Sequence, residues 1–373
     1  MERRLAVLLS LLSAPAAALL TASWQALPPG AEQAWRGSSP PRSGPTAAAD
    51  SDGNTWLFGG YAEPEGKERA VVNDLLRYSA SGGWEQLQEP IRTTIGKTQR
   101  VRSNRPGPRL ASASAILDGE LLVFGGWDPQ VAGTGGIILD DVWALDLGKQ
   151  TWQRCEAPMP RGPTSRHVAC NVGGKVVVHT FRCKEAVMVW DPSTRALVEQ
   201  PTKGTPPSSR GLHVAAAADE RTLVVFGGAA QDGTMVNDAF ALDTVTWEWR
   251  VLASNGDRPS PRAGACAAPL PNGERGILVC CGAEASANGL VPRADVWALT
   301  LDDQGGGEWS KLLDDAAPDA PGPRNAATLT PLSDGAAGEG EGGSGGSLLL
   351  HGGWRPFVST YGDTYVLKVQ SSS

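Results

Sequence analysis

Six arginines stand at the ends of Pro-rich turns: Arg42, Arg109, Arg166, Arg210, Arg262 and Arg324. Each precedes a run of small apolar residues, so in a repeating fold the six would encircle one point. A ring of guanidinium groups at the mouth of a channel would attract carboxylate or phosphate. The same residues serve structure instead if each pairs with a neighbouring repeat's carboxylate or carbonyls, and recurrence in every repeat favours that role. Three aromatics, Tyr61, Trp127 and Trp354, each follow a Gly-Gly pair. Aromatics at a loop mouth anchor recognition surfaces, or else pack beneath their own loops. Between Gln88 and Arg109 lies a basic run of Arg92, Lys97, Arg100, Arg102, Arg105 and Arg109 against a single Glu89, in a chain of net charge −7. That local reversal of sign suits an acidic peptide or polyanion, or is a solvated loop.

Other chemistry is thinly represented. His167, His179, His213 and His351 are scattered, and no carboxylate accompanies them at a metal-ligand spacing, so neither metal nor cofactor is expected. The six cysteines form no Cys-x-x-Cys pair, which argues against structural zinc. Most fall in predicted strands as small buried thiols, while a Cys155–Cys170 or Cys170–Cys183 disulfide stays open should the chain be secreted. There is no nucleophile elbow, and the Gly-Gly pairs end strands and open no helix, so they are not phosphate-binding loops. The acidic balance argues against nucleic-acid or membrane-surface binding. A non-catalytic binding protein is the leading expectation.

Elements able to hold such residues must be short strands, because 46 Gly, 28 Pro and 13 Trp in 373 residues suit many turns and no long helix. Aligning on the glycines gives Leu57-Phe58-Gly59-Gly60, Val123-Phe124-Gly125-Gly126, Val225-Phe226-Gly227-Gly228 and Leu350-His351-Gly352-Gly353. Val279-Cys280-Cys281-Gly282 is a one-glycine variant and Val177-Val178-His179-Thr180 a degenerate one. After each site comes a variable loop, then in five repeats an Asp opening an alternating strand, from Asp74, Asp141, Asp238, Asp295 and Asp363. A further strand carries Trp84, Trp152, Trp247 or Trp309, with Leu197 in the third repeat. Four short strands per repeat make an antiparallel meander, one propeller blade.

Apolar residues then Gly-Gly, a variable loop, an aromatic in the next strand and Trp in the last resemble the kelch repeat, here from about Trp24 onward. The resemblance implies an all-β, six-bladed propeller, a stand-alone kelch domain without a BTB or F-box domain. It also implies a monomeric scaffold binding a protein or acidic peptide through its loop face. Some kelch propellers are enzymes, so the alternative is binding or isomerisation of an anionic or sugar-acid molecule in an Arg-lined channel. The sixth repeat lacks a Trp strand, and the segment around Ala22–Leu27 with Trp24 supplies it, which predicts ring closure by an N-terminal strand over 22–27 within a single domain over 22–373. Residues 1–21, with Arg3 and Arg4 before the apolar run Leu5–Leu12, read as a signal or targeting segment too short for a membrane span. Secretion or endomembrane entry is expected, with a cytoplasmic or organellar location as the alternative.

Overall fold

In the computed structural model the described residues are 19–27, 41–63, 69–90, 104–129, 135–253, 256–271, 273–333 and 344–372. They form six antiparallel sheets, each a blade of four principal strands. Blade two is typical: Ala113–Leu117 lies innermost, followed outward by Glu120–Asp128, Ile137–Asp146 and Thr151–Arg154. Its second strand carries Leu121, Leu122, Val123 and Phe124 in succession, all buried. A continuous apolar run fits a strand covered on both faces, because blades stack face to face around the ring.

The apolar clusters lie at the seams between blades. One joins Phe58 and Leu75 of blade one to Leu121 and Leu145 of blade two; another joins Phe226 of blade four to Ile277 and Trp309 of blade five. At four of the six seams the outer-strand aromatic of one blade meets the second strand of the preceding blade. Trp152 stands 5.1 Å from Phe58, Trp309 5.0 Å from Phe226, Trp249 5.6 Å from His179 and Trp84 4.4 Å from His351, centroid to centroid. These wedges desolvate large rings at positions where each blade must grip its neighbour.

Closure follows the expected plan. Leu19–Ala26 pairs antiparallel with Thr364–Ser372, setting Trp24 opposite Leu367. This strand is the outer edge of blade six, and Trp24 packs in one cluster with Cys280, Leu350 and Leu367. The strand starts three residues earlier than the sequence suggests, at Leu19, so it overlaps the segment 1–21 read as a targeting sequence.

Two registers differ from the sequence alignment. Lys175–His179 pairs so that His179 faces Val168, as Phe124 faces Ala113 and Phe226 faces Val214. Thr180-Phe181 therefore replaces Gly-Gly, one residue later than the glycine alignment had it. In blade four the outer-strand tryptophan is Trp249, opposite Leu242; Trp247 lies in the preceding turn with φ +56°. Two nearby tryptophans made the choice ambiguous in the sequence, and pairing geometry resolves it.

Around the axis runs a closed circuit of backbone hydrogen bonds. Gly44 N donates to Ala326 O (2.8 Å), Ala111 to Gly44 (2.9 Å), Arg166 to Ala111 (2.8 Å), Leu212 to Arg166 (2.9 Å), Gly264 to Leu212 (2.9 Å) and Ala326 to Gly264 (2.8 Å). All six donors have φ between +52° and +63°. That left-handed turn directs each N–H sideways to the next blade, away from its own sheet.

Trp24 tests closure. Trp24→Ala should lower unfolding stability by about 3–5 kcal/mol, as for other large-to-small core changes, measured by urea denaturation. An unchanged midpoint would mean that the N-terminal strand does not hold the ring.

Candidate functional site

The turn arginines occupy the region where blades meet the axis, but five of them do not open onto the channel. Arg42, Arg109, Arg210, Arg262 and Arg324 are each at most 1% exposed. Each guanidinium grips an Asp within or immediately before the third strand of its own blade through two hydrogen bonds. The pairs are Arg42–Asp74 (3.0 and 3.0 Å), Arg109–Asp141 (2.7 and 3.0 Å), Arg262–Asp295 (2.5 and 3.0 Å), Arg324–Asp363 (2.5 and 3.0 Å) and Arg210–Asp238. Nη1 also donates to the carbonyl of the residue at the first-glycine position: Gly59, Gly125, Gly227, Cys281 or Gly352. The partner is thus the blade's own Asp, whereas the sequence suggested a neighbouring blade's group.

The main chain of the same arginine reaches the other way. The N–H of Gly60 donates to Arg109 O, that of Gly228 to Arg262 O, that of Gly282 to Arg324 O and that of Gly353 to Arg42 O, at 2.8–2.9 Å. A Cβ on Gly59 would lie 2.6 Å from Arg109 O, which is why the first position of the pair is glycine there. One residue therefore clasps two blades, with its side chain on one and its carbonyl on the other. Burial works to raise the Asp141 and Asp295 carboxyls, but their arginines, with hydrogen bonds from Trp143 and Trp297 (both 2.8 Å), hold them below the ordinary carboxylate value.

Arg166 departs from this set. It is the residue in the axial circuit, two places beyond the clasp position, which Thr164 fills: Gly126 N donates to Thr164 O at 2.9 Å. The Asp position of blade three is Ala186 and the first-glycine position is Thr180, so all three members of the clasp are replaced together. Arg182 supplies a substitute, donating from Nη1 to the carbonyls of Arg161 (2.9 Å) and Pro163. Arg166 itself is exposed, with its guanidinium 5.6 Å from the centre of the Trp127 ring.

The aromatics form an arc on the loop face. Tyr61 pairs with Ser43, Trp127 bridges Leu110 and Trp354 bridges Asn325, so all three lie immediately outside the axial circuit, half-buried, on adjacent blades. The equivalent residues of blades four and five are Ala229 and Ala283. Trp354 meets Phe357 edge to face at 6.0 Å, and Phe357 is 95% exposed at the tip of the hairpin formed by Trp354–Arg355 and Ser359–Thr360. In the basic connection, Arg92, Lys97, Arg100 and Arg102 lie outside the described residues. Arg105 is half-buried beside the first clasp: burial lowers its pKa and the Asp74 charge opposes that shift. Arg109 belongs to the second clasp.

All six cysteines are free thiols, so neither disulfide left open by the spacing is formed. Among the described residues no cluster of His, Cys, Asp or Glu is arranged to hold a metal, and no helix is long and apolar enough to cross a membrane. The sequence shows the five Asp and the six Arg at recurring positions without showing that they pair. The available signal was their joint occurrence in five repeats and the missing Asp in the third.

Burial separates the two arginine classes by experiment. Arg262→Ala leaves Asp295 charged and buried and should destabilise the fold by about 3–5 kcal/mol. Arg166→Ala, at an exposed position, should stay within about 1 kcal/mol. Equal losses in thermal or urea unfolding would overturn the assignment.

Comparison with known proteins agrees with this architecture. The solved structure of YjhT superposes with a TM-score of 0.63 at 17% identity, covering 89% of this chain and 96% of that one, a likeness of fold. Kelch domain-containing protein 10 of Xenopus laevis is 27% identical over 296 residues, 74% of this chain and 66% of that protein. The Rab9 effector protein with kelch motifs of Xenopus laevis is 28% identical over 163 residues, 42% of this chain and 43% of that protein. Acyl-CoA-binding domain-containing protein 4 of Arabidopsis thaliana is 29% identical over 60% of this chain, and the match spans only 33% of that longer protein. Residues 108–159 match the Kelch motif, and residues 171–373, more than half of the chain, match the KLHDC2/KLHL20/DRC7 Kelch-repeats domain. With five Arg–Asp clasps and a ring closed by its first strand, the chain is a six-bladed β-propeller that belongs to the kelch-repeat family.

Proposed function

We propose that the propeller is a non-catalytic binding scaffold that engages a protein or peptide on its loop face, in the sector of blades six, one and two. One observation carries this reading. Tyr61, Trp127 and Trp354 stand on three adjacent blades around the axis, where blades four and five present alanine. Rigid aromatic surface around a mouth is suited to anchoring a partner at small entropic cost. Kelch-bearing relatives include a Rab9 effector, whose name describes a protein-interaction role. Arg166 on Trp127 adds a cation at the edge of the arc, consistent with an acidic partner. The reading of a small anion held in an arginine-lined channel is weakened, since five of the six guanidiniums are buried against aspartates.

The test is affinity capture with the full chain, quantified against variants that fold. Tyr61→Ala, Trp127→Ala and Trp354→Ala together should reduce captured partner at least about tenfold, the loss expected from removing a cluster of hot-spot aromatics. Val245→Ser, at an exposed turn beside the third and fourth strands of blade four, should change nothing. Capture that survives the triple change would overturn the sector. Reversing Arg100, Arg102 and Arg105 to Glu should reduce it further if the partner is acidic. For the N-terminus, the same reading takes the residues ahead of Leu19 as a targeting segment removed on secretion or endomembrane entry. N-terminal sequencing of the native protein should then find a start after the apolar run Leu5–Leu12 and no later than Leu19; retention of Met1, or a start beyond Trp24, would overturn it.

A further inference from the structure

Blade three lacks the clasp, and its seam with blade four contains two buried imidazoles instead. His179 occupies the place that Phe58, Phe124 and Phe226 fill in blades one, two and four. His213 follows the axial residue Leu212 and leads into the inner strand Val214–Ala217 of blade four. His179 Nδ1 and His213 Nε2 are 3.0 Å apart, and the rings meet edge to face at 4.9 Å. A hydrogen bond between two imidazoles requires one ring to donate and the other to accept, which two neutral rings satisfy. The outward nitrogens, His179 Nε2 and His213 Nδ1, are buried without a hydrogen-bond partner, so a proton added there has no acceptor.

We propose that this pair makes the seam between blades three and four an acid-sensitive joint, at which the propeller opens locally as the pH falls below neutrality.

The surroundings supply the bias. Trp249 of blade four covers His179 edge-on at 5.6 Å, and Cα and Cβ of His213 lie against Gly228. The charged or titratable groups facing the pair are Arg210, which is committed to Asp238, and His167, which faces His213. Burial, then the Arg210 charge, drives His179 down to about 3. Burial, then His179, Arg210 and His167, drives His213 well below its ordinary value. In an opened seam both rings would return toward ~6.5.

The sign follows from linkage. Lowered basic groups keep the closed seam fully favoured above ~6.5, and that advantage drains away as protons bind the open form on the way down to the closed-state value. Two such rings should raise the local opening equilibrium about 100-fold between pH 7.5 and 5.5. Asp141 and Asp295 are held below the ordinary carboxylate value by their arginines, so their clasps remain intact in this window. His351 is also buried, driven to about 3, but it sits in a clasped blade with Nδ1 2.9 Å from Thr364 Oγ1.

Hydrogen exchange on the full chain, corrected for intrinsic rates, tests the joint. From about pH 7.5 to 5.5, protection of Lys175–His179 and Val214–Ala217 should fall about 100-fold, while Thr55–Ala62 and Glu120–Asp128 keep theirs. His179→Phe, the residue type of three sister blades, should cut the effect to about tenfold. His213→Ala, the type found at Ala265 and Ala327, should do the same and serves if the first variant fails to fold. A pH response spread evenly over the blades, or undiminished in either variant, would overturn the proposal.

Discussion

A propeller must close, and the geometry at its axis decides whether it can. Six blades meet there at their inner ends. The chain solves this with one left-handed residue per blade, whose N–H turns to the next blade's counterpart until the circuit returns to its start. That circuit ties each blade to the next at the axis through one backbone hydrogen bond. Everything further out builds on that ring: the clasps, the stacked second strands, and the aromatic wedges at the seams.

The clasps show why a repeated charged residue need not be a ligand site. A guanidinium at the rim could reach outward to solvent or inward to its own sheet. Here the Asp opening the third strand is placed so that the fork of Arg and the fork of carboxylate meet in two parallel hydrogen bonds, with a backbone carbonyl satisfying a further donor. Such a pair adds less to stability than its short distances suggest, because both ions lose their hydration. Its effect is on specificity, since a clasp forms only when turn, glycine pair and third strand are all in register. Arg166, freed from that duty by Thr164, stands where its charge meets solvent and the Trp127 ring.

Much of this was legible in the sequence, for identifiable reasons. Turn residues, apolar runs and tryptophans recur with the period of a blade, so fold class and seam closure could be read from pattern alone. Residue-level register could not be read where the pattern degenerates. Val177-Val178-His179-Thr180 aligned by similarity one residue out of place, and only the cross-strand partner Val168 fixes it. Arg166 looked like a sixth clasp because a Pro-rich turn precedes it; Thr164, directly after Pro163, fills the clasp position and leaves Arg166 on the axial one. Pairing of Arg with Asp was hidden because the partners are 28 to 39 residues apart, a distance at which composition carries no contact information.

The seam at blade six has a consequence for how the chain comes to be folded. Blades one to five are assembled from strands contiguous in sequence, so each can form as its own segment emerges. Leu19–Ala26 precedes blades one to five in the chain, yet its pairing partner, Thr364–Ser372, follows them. During synthesis this strand must wait, apolar and unpaired, while five blades form behind it. The final step then closes a loop of nearly the whole chain, the kind of long-range contact that folds slowly and exposes an edge meanwhile. Until then the edge of the sixth blade stays open to pairing with other chains, and assembly is complete only when these two strands lie side by side.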